Sequence, residues 1–339
     1  LDLAISVESG KRNEEAAVDR LQALLAADLD KVNALILEGM QSPVGLIPEL
    51  ASHIVASGGK RLRPLVTLAA ARLCGYQGSH HQRLAATVEF IHTATLLHDD
   101  VIDASALRRG RATANIVWGN QPSVLVGDFL FSRAFQLMVE VGSLDILRVL
   151  SNAAAVIAEG EVLQLVSAHN LATDEAMYMA VIEAKTAALF AAAARVGAMA
   201  AGRSDSEATT LEGFGRDLGI AYQLVDDVLD YVGREALLGK TVGDDFREGK
   251  ITLPVVLANR RGDEEERAFW QRTLVQGAQT AADFALARRL LERHGAIDDT
   301  MLQARRFARR AGEALASFPD NVYRRALADL LDFAVERAF

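Results

Sequence analysis

The 339-residue sequence contains a single cysteine, Cys74. One thiol cannot close a disulfide within the chain, so packing must hold the fold, and a place in the apolar run 65–74 suits a small buried side chain. Proline is nearly as scarce, with six in all, and aromatic residues make up only 6%. A chain so poor in helix breakers and rich in alanine and leucine favours closely packed helices over sheet. A basic excess is also missing: 36 Lys and Arg stand against 45 Asp and Glu, a net charge of −9. That balance excludes nucleic-acid binding as the main task, so any phosphate recognition has to be local. No N-terminal stretch combines a basic start, an apolar core and a small-residue cleavage site. The most apolar long stretch, residues 187–202, is interrupted by Arg195. It is shorter than the roughly 20 apolar residues of a membrane crossing. It reads as a core helix, and a cytoplasmic protein without a transmembrane segment is expected.

Half of the residues are apolar, and helical periodicity runs through most of the chain. Breaks fall at residues 43–48, 57–59, 75–79, 110–122, 202–206, 233–249 and 262–265, where Gly, Pro or Ser cluster. No Pro/Ser-rich linker, low-complexity tract or fixed-period repeat divides the sequence. The expectation is an all-α fold, a single large helical bundle over residues 1–339, with residues 1–20 as a flexible leading segment. The charged stretch 260–267 reads as a solvated loop or helix start, and the amphipathic residues 281–339 read as scaffold.

Against this apolar background stand two acidic motifs. In Leu96-Leu97-His98-Asp99-Asp100-Val101-Ile102-Asp103 a helix puts Asp99 and Asp103 one turn apart on one face, with Asp100 beside them. Tyr222-Gln223-Leu224-Val225-Asp226-Asp227-Val228-Leu229-Asp230 repeats the spacing, with Asp226 and Asp230 a turn apart and Asp227 alongside. Like charges at that spacing weaken a helix by roughly 0.2–0.5 kcal/mol per pair. An exposed acidic face would account for one such motif, but two copies at the ends of apolar helices ask for a cation. Oxygen ligands without His or Cys pairs nearby suit a hard ion, and Mg²⁺ takes one or two carboxylates and completes its octahedron with water and phosphate oxygens. The pattern is that of a magnesium clamp for a diphosphate.

Basic residues supply a second half. Ser57-Gly58-Gly59-Lys60-Arg61-Leu62-Arg63-Pro64 sets three cations at a glycine turn that opens a helix, a setting that can cradle phosphate. Taken alone, it would also suit a solvated basic helix start. Arg108 and Arg109 follow the first acidic motif closely. Their forked guanidinium groups can reach phosphate oxygens there or pair with Asp103.

The two DDxxD motifs, the GGKRLRP segment, the paired arginines and Gly239-Lys240-Thr241-Val242-Gly243-Asp244-Asp245-Phe246 resemble the trans-type polyprenyl diphosphate synthases over residues 40–260. The resemblance implies the isoprenoid-synthase fold, with the acidic motifs facing each other across the mouth of a deep central cavity, usually in a homodimer. It implies three Mg²⁺ ions held by Asp99, Asp100, Asp103, Asp226, Asp227 and Asp230. It assigns Arg108, Lys185, Thr186, Gln223 and Lys240 to an allylic diphosphate, and Lys60, Arg61, Arg63, His92 and Arg109 to isopentenyl diphosphate. On their own, His92 would read as a core histidine, and Lys185 and Thr186 as ordinary helix residues. The implied reaction joins isopentenyl diphosphate head to tail onto a primer such as farnesyl or geranyl diphosphate. Metals and cations would stabilise the departing pyrophosphate.

Along the helix below Asp99, Thr95 lies about 6 Å and Ile91 about 12 Å down, from the rise per residue. With Ala94, these positions lack the aromatic floor that short-chain members of the family share. The resemblance therefore implies an open tunnel and a product of about eight to ten isoprene units, of the quinone side-chain kind. If the small residues serve packing instead, Phe90, Phe129 or Phe131 could form the floor, as in a farnesyl or geranylgeranyl diphosphate synthase. A class I terpene cyclase would need neither the GGKRLRP segment nor Arg109. A non-catalytic partner subunit could dispense with its acidic motifs.

Overall fold

Helix after helix follows from the alanine- and leucine-rich pattern, and the computed structural model describes them over residues 17–56, 58–233 and 242–337. The first half comprises α1 (Ala26–Gly39), α2 (Leu46–Ala56), α3 (Leu62–Leu73), α4 (His80–Ile102), α5 (Ala114–Trp118), α6 (Asn120–Val141) and α7 (Leu144–Ser167). Then come α8 (Glu175–Ile182), a π-turn (Glu183–Ala187), α9 (Ala188–Ala200) and α10 (Asp205–Val232). The remainder is α11 (Asp244–Arg247), α12 (Leu253–Arg261), α13 (Glu264–Trp270), a second π-turn (Gln271–Val275), α14 (Asp283–Arg293), α15 (Ala296–Leu315) and α16 (Val322–Glu336). The described strands form one two-stranded hairpin, β1 (Leu107–Arg108) antiparallel to β2 (Arg111–Ala112).

The long α4 and α10 organise the bundle. α4 packs on α6 and α3, α10 packs on α9 and α15, and contact between α3 and α9 joins the two groups. One apolar cluster gathers Leu65, Leu84, Phe90, Leu130, Phe190 and Phe214, and a second gathers Val228, Tyr231, Phe246 and Trp270. α10 contributes to both. Its start is fixed by a capping box between Ser204 and Glu207, which satisfies helix N–H groups that otherwise lack partners.

Several boundaries differ from the sequence reading. Pro48 and Pro122 do not break the chain but sit in the first turns of α2 and α6, where a missing N–H costs nothing. Residues 110–122 hold β2, α5 and the start of α6. The flexible leading segment was expected to reach residue 20, but residues 17–24 are helical, with Ala17 and Val18 buried; residues 1–16 lie outside the described part. Within residues 260–267, Asp263 and Glu266 form a capping box that starts α13. Cys74 is buried, and burial pushes its thiol pKa up. The core helix expected at residues 187–202 is α9, which buries Ala193, Ala194 and Val196. Among the described residues, two stretches are nevertheless long and apolar enough, by length and composition, to cross a membrane. Glu175–Ala200 is 56% buried over its apolar window, and α7 only 28%.

Candidate active site

Both acidic motifs lie at helix C-termini: Asp103 caps α4, and Asp230 sits in the last turn of α10. Carboxylates there oppose the negative end of the helix dipole as well as one another, so the fold must bring cations. Arg108 donates from Nη2 and Nε to Asp100 Oδ1 at 2.7 and 2.9 Å. Lys185 Nζ donates to Glu161 Oε2 at 2.7 Å and lies 4.0 Å from Asp99 Oδ2. Lys250 Nζ lies 3.6 Å from Asp103 Oδ2 and 3.7 Å from Asp245 Oδ1. The backbone N–H of Asp245 in turn donates to Asp230 Oδ2 at 3.0 Å. One ammonium group thus links the end of α4 directly, and the end of α10 through Asp245. At the other flank, Arg337 Nη1 stands 3.6 Å from Asp226 Oδ1, with its guanidinium 3.6 Å over the Tyr222 ring.

These cations leave the acidic side under-compensated. Burial pushes the Asp99 carboxyl up to about 7 against the pull of Lys185, and burial together with Asp245 raises Asp227. Burial would lower Lys250, but Asp245, Asp103 and Glu248 outweigh it and raise its pKa. A further cation between the motifs would be favoured by the charge that remains.

The first π-turn brings two consecutive side chains into the site. Lys185 reaches Glu161, while Thr186 Oγ1 donates to Gln223 Oε1 at 2.8 Å. Its wide turn is seated between glycines. A Cβ at Gly160 would fall 2.7 Å from Ala184 Cβ, and one at Gly219 would fall 2.7 Å from Ala187 Cα.

The opposite side carries a positive surplus. Arg63 Nη1 donates to His92 Nε2 at 3.3 Å and its guanidinium lies 4.4 Å over the Phe190 ring. Lys60 Nζ lies 4.3 Å over Phe333. Arg109, at the hairpin turn with φ 53°, presses against Gly59, where a Cβ would fall 2.4 Å from its Nη1. Burial, then Arg63, Arg109, Arg108 and Arg61, hold His92 well below its usual pKa, so the ring is neutral and accepts from Arg63. Burial also lowers Arg63, to about 10, which leaves it charged at neutral pH. Glu89 is a carboxylate among these cations, and its partner is Arg61.

Most of the residues expected from the sequence therefore converge. Arg61 is drawn to Glu89, Asp226 faces Arg337, and Lys240 lies outside the described residues. Below Asp99, Ile91 and Ala94 are fully buried and Thr95 is half-buried, its Oγ1 donating to His92 O at 2.8 Å. Phe90 points to α1, where a Cβ on Gly39 would fall 2.7 Å from its Cζ. Phe129 faces Arg133 and Phe131 faces Phe135. A groove of about 710 Å³ between α7, α9 and α10, lined by Ala153, Ala188, Ala191 and Arg195, includes none of the motif aspartates.

Sequence reasoning missed Glu89, Glu161, Tyr178, Lys250 and Arg337. Glu161 carried a weak signal, as a charge within an apolar helix. Arg337 and Phe333 belong to residues 281–339, which read as scaffold, yet the fold returns them to Asp226 and Lys60.

The same arrangement has counterparts among known proteins. The polyprenyl synthetase family model matches residues 44–291. An octaprenyl diphosphate synthase of Haemophilus influenzae is 45% identical over 330 residues, covering 97% of this chain and 100% of its own. A nonaprenyl diphosphate synthase of Rhodobacter capsulatus is 41% identical, covering 95% and 99%. The crystal structure of a Caulobacter crescentus polyprenyl synthase, complexed with calcium and isoprenyl diphosphate, superposes with a TM-score of 0.92 at 55% identity, covering 95% of this chain and 98% of that one. A decaprenyl diphosphate synthase from Rhodobacter capsulatus matches with a TM-score of 0.92 at 54% identity, covering 95% and 99%. With acidic and basic halves in place and likeness over nearly its whole length, the chain belongs to the polyprenyl synthetase family.

Proposed function

We propose that the chain is a long-chain all-trans polyprenyl diphosphate synthase, which condenses isopentenyl diphosphate head to tail with an allylic diphosphate. The observation that carries this reading is the charge split: carboxylates gathered at two helix ends, and a positive surplus around a neutral His92 beside them. The acidic half suits Mg²⁺. Its donors, Asp99, Asp103, Asp226 and Asp230, are all carboxylate oxygens. That fits an ion held by one or two carboxylates and completed by diphosphate and water. Asp99, Asp103, Asp226 and Asp230 would hold it, and when bound it neutralises charge on the departing pyrophosphate.

The chain's own residues do the rest. Lys185, Arg108 and Lys250 orient the allylic diphosphate by charge, with Gln223 and Thr186 supplying neutral hydrogen bonds. Lys60, Arg63, Arg109 and neutral His92 hold isopentenyl diphosphate. The Phe190 ring beneath the Arg63 guanidinium keeps that side of the site apolar.

Product length follows from the face below Asp99. Of that face only Thr95 is half-buried, whereas Ala94 and Ile91 are packed without exposed surface; the Phe90 ring is turned to α1, and three of the relatives named above are octaprenyl, nonaprenyl and decaprenyl diphosphate synthases. The test is purified chain with Mg²⁺, labelled isopentenyl diphosphate and farnesyl diphosphate, followed by dephosphorylation and sizing. A ladder ending near eight to ten units is expected, and Thr95→Phe should shorten it. Wild-type products that stop at three or four units would sink the long-chain reading, and no incorporation would sink prenyl transfer.

A homodimer is part of the proposal. α6 exposes Leu125, Phe135 and Val139, and α7 exposes Leu144, Val162, Leu165 and Val166, an apolar surface that a second copy would cover. Sedimentation at the monomer mass would count against it.

A further inference from the structure

Tyr178 lies on α8, outside every motif the sequence singles out, and is 4% exposed. Its ring belongs to the apolar cluster that includes Leu224 and Val228. Its hydroxyl donates to Asp227 Oδ2 at 2.5 Å. The other oxygen, Asp227 Oδ1, accepts from Gln223 Nε2 at 2.7 Å. Gln223 Oε1 accepts from Thr186 Oγ1 at 2.8 Å. These contacts form one chain from α8 through the end of α10 to the π-turn, finishing next to Lys185.

Chemistry gives each member a defined part. Asp227 is 3% exposed, and both its oxygens are engaged by neutral donors. The neighbouring Asp226 keeps 38% of its side chain exposed. A carboxylate closed in this way is poorly placed to ligate an ion, but it fixes whatever binds to it. Gln223 is the group so fixed: an amide has a donor end and an acceptor end, and here Asp227 takes the first while Thr186 takes the second. Remove the anchor, and the amide can rotate away from the orientation it presents to the site.

We propose that Tyr178 is a positioning residue for the allylic half of the active site. Its hydroxyl holds Asp227, Asp227 holds Gln223, and Gln223 holds the Thr186 hydroxyl beside Lys185, so Asp227 serves as the hub of this chain and not as an ion ligand. The inference rests on the prenyl-transfer reading, and one substitution separates the two. Tyr178→Phe keeps the ring in its apolar cluster and deletes only the donor. Its expected signature is a rise of roughly tenfold in KM for the allylic diphosphate, the size of one buried hydrogen bond. KM for isopentenyl diphosphate should move by less than about twofold on the same scale.

A second readout needs no turnover. Calorimetric titration with inorganic diphosphate in the presence of Mg²⁺ should show weaker binding to the variant by a comparable factor. In an Asp227→Ala background, adding Tyr178→Phe should cause no further loss, because residues that act through one another are non-additive. Equal rises in both KM values with a lowered melting temperature would reduce Tyr178 to a packing role. Unchanged diphosphate binding, or full additivity with Asp227→Ala, would overturn the proposal outright. A wild-type chain that binds diphosphate without condensing substrates would overturn the prenyl-transfer reading instead, with Tyr178 then judged by the binding ratio alone.

Discussion

At the scale of single residues, Lys250 carries more than its local sequence suggests. Its ammonium sits among Asp103, Asp245 and Glu248, at 3.6, 3.7 and 2.5 Å. Three carboxylates around one half-buried cation repel each other once it is gone, and breaking a partly buried cluster of this kind costs about 2 kcal/mol. Lys250→Met should therefore lower the melting temperature by several degrees without added ions. Mg²⁺ should then stabilise the variant more than the wild type, because it restores the missing positive charge. A melting temperature unchanged by the substitution, with the same Mg²⁺ response as wild type, would contradict the bridging role. The two acidic motifs stand out in the sequence because their pattern lies in their own spacing, whereas the separate parts of Asp100, paired with Arg108, and Asp227, closed by Tyr178 and Gln223, do not. Lys250 was not legible, since Asp245 and Glu248 beside it in sequence read as an ordinary charged loop, and Asp103 meets it only when the chain returns after many helices. Lys185 and Thr186 stood between these cases: bland on their helix, and assigned only through the family resemblance.

At the scale of elements, helices declared themselves by periodicity, whereas the small irregular pieces that place the chemistry did not. The π-turn adds one residue to a helical turn, and nothing in Glu183-Ala184-Lys185-Thr186-Ala187 announces it. The helices packed against it approach this closely only because Gly160 and Gly219 carry no side chain there. The hairpin is similar: Arg109 and Gly110 both have positive φ, 53° and 75°, which is the geometry of a tight two-residue hairpin turn. Two-residue strands cannot hold such a turn alone. His53 of α2 supplies the anchor, with Nε2 donating to Ala112 O at 2.8 Å while its ring meets Trp118 edge-on at 5.0 Å. His53→Leu should loosen both arginines together. KM for both diphosphates should rise by a few fold, with kcat changed less, since the arginines stay in the chain but lose their aim. Steady-state kinetics in both substrates checks this, and a rise confined to kcat would refute it.

At the scale of the whole molecule, the aspartate ends of α4 and α10 need a frame that does not itself respond to the charges they collect. One part of that frame is a buried polar cluster joining α1, α3 and α4. Asp28 is 6% exposed. It accepts from Arg72 Nε and Nη2 at 2.8 Å each and from Gln82 Nε2 at 2.8 Å, with His81 Nε2 at 3.1 Å. Burial alone would raise the Asp28 pKa, but the bonds from Arg72, Gln82 and His81 outweigh it and hold it at about 2, below the ordinary 3.8. A carboxylate whose folded pKa is depressed adds stability above its unfolded value and loses it as pH falls through the folded one, here about 2 kcal/mol lost between roughly pH 4 and pH 2. His81 acts in the same sense. Burial lowers its pKa from 6.5, so the folded state favours the neutral ring, and that contribution fades as pH drops below the unfolded value. Asp28→Ala leaves Arg72 and Gln82 without their acceptor and should cost about 3 kcal/mol near neutral pH. In urea titrations, the gap between variant and wild type should narrow steadily as pH falls toward 2, with KM for both diphosphates unchanged at neutral pH. A gap of constant size across that range would mean that Asp28 acts by packing and not by charge, and the three helices would then owe their registration to the apolar cluster alone.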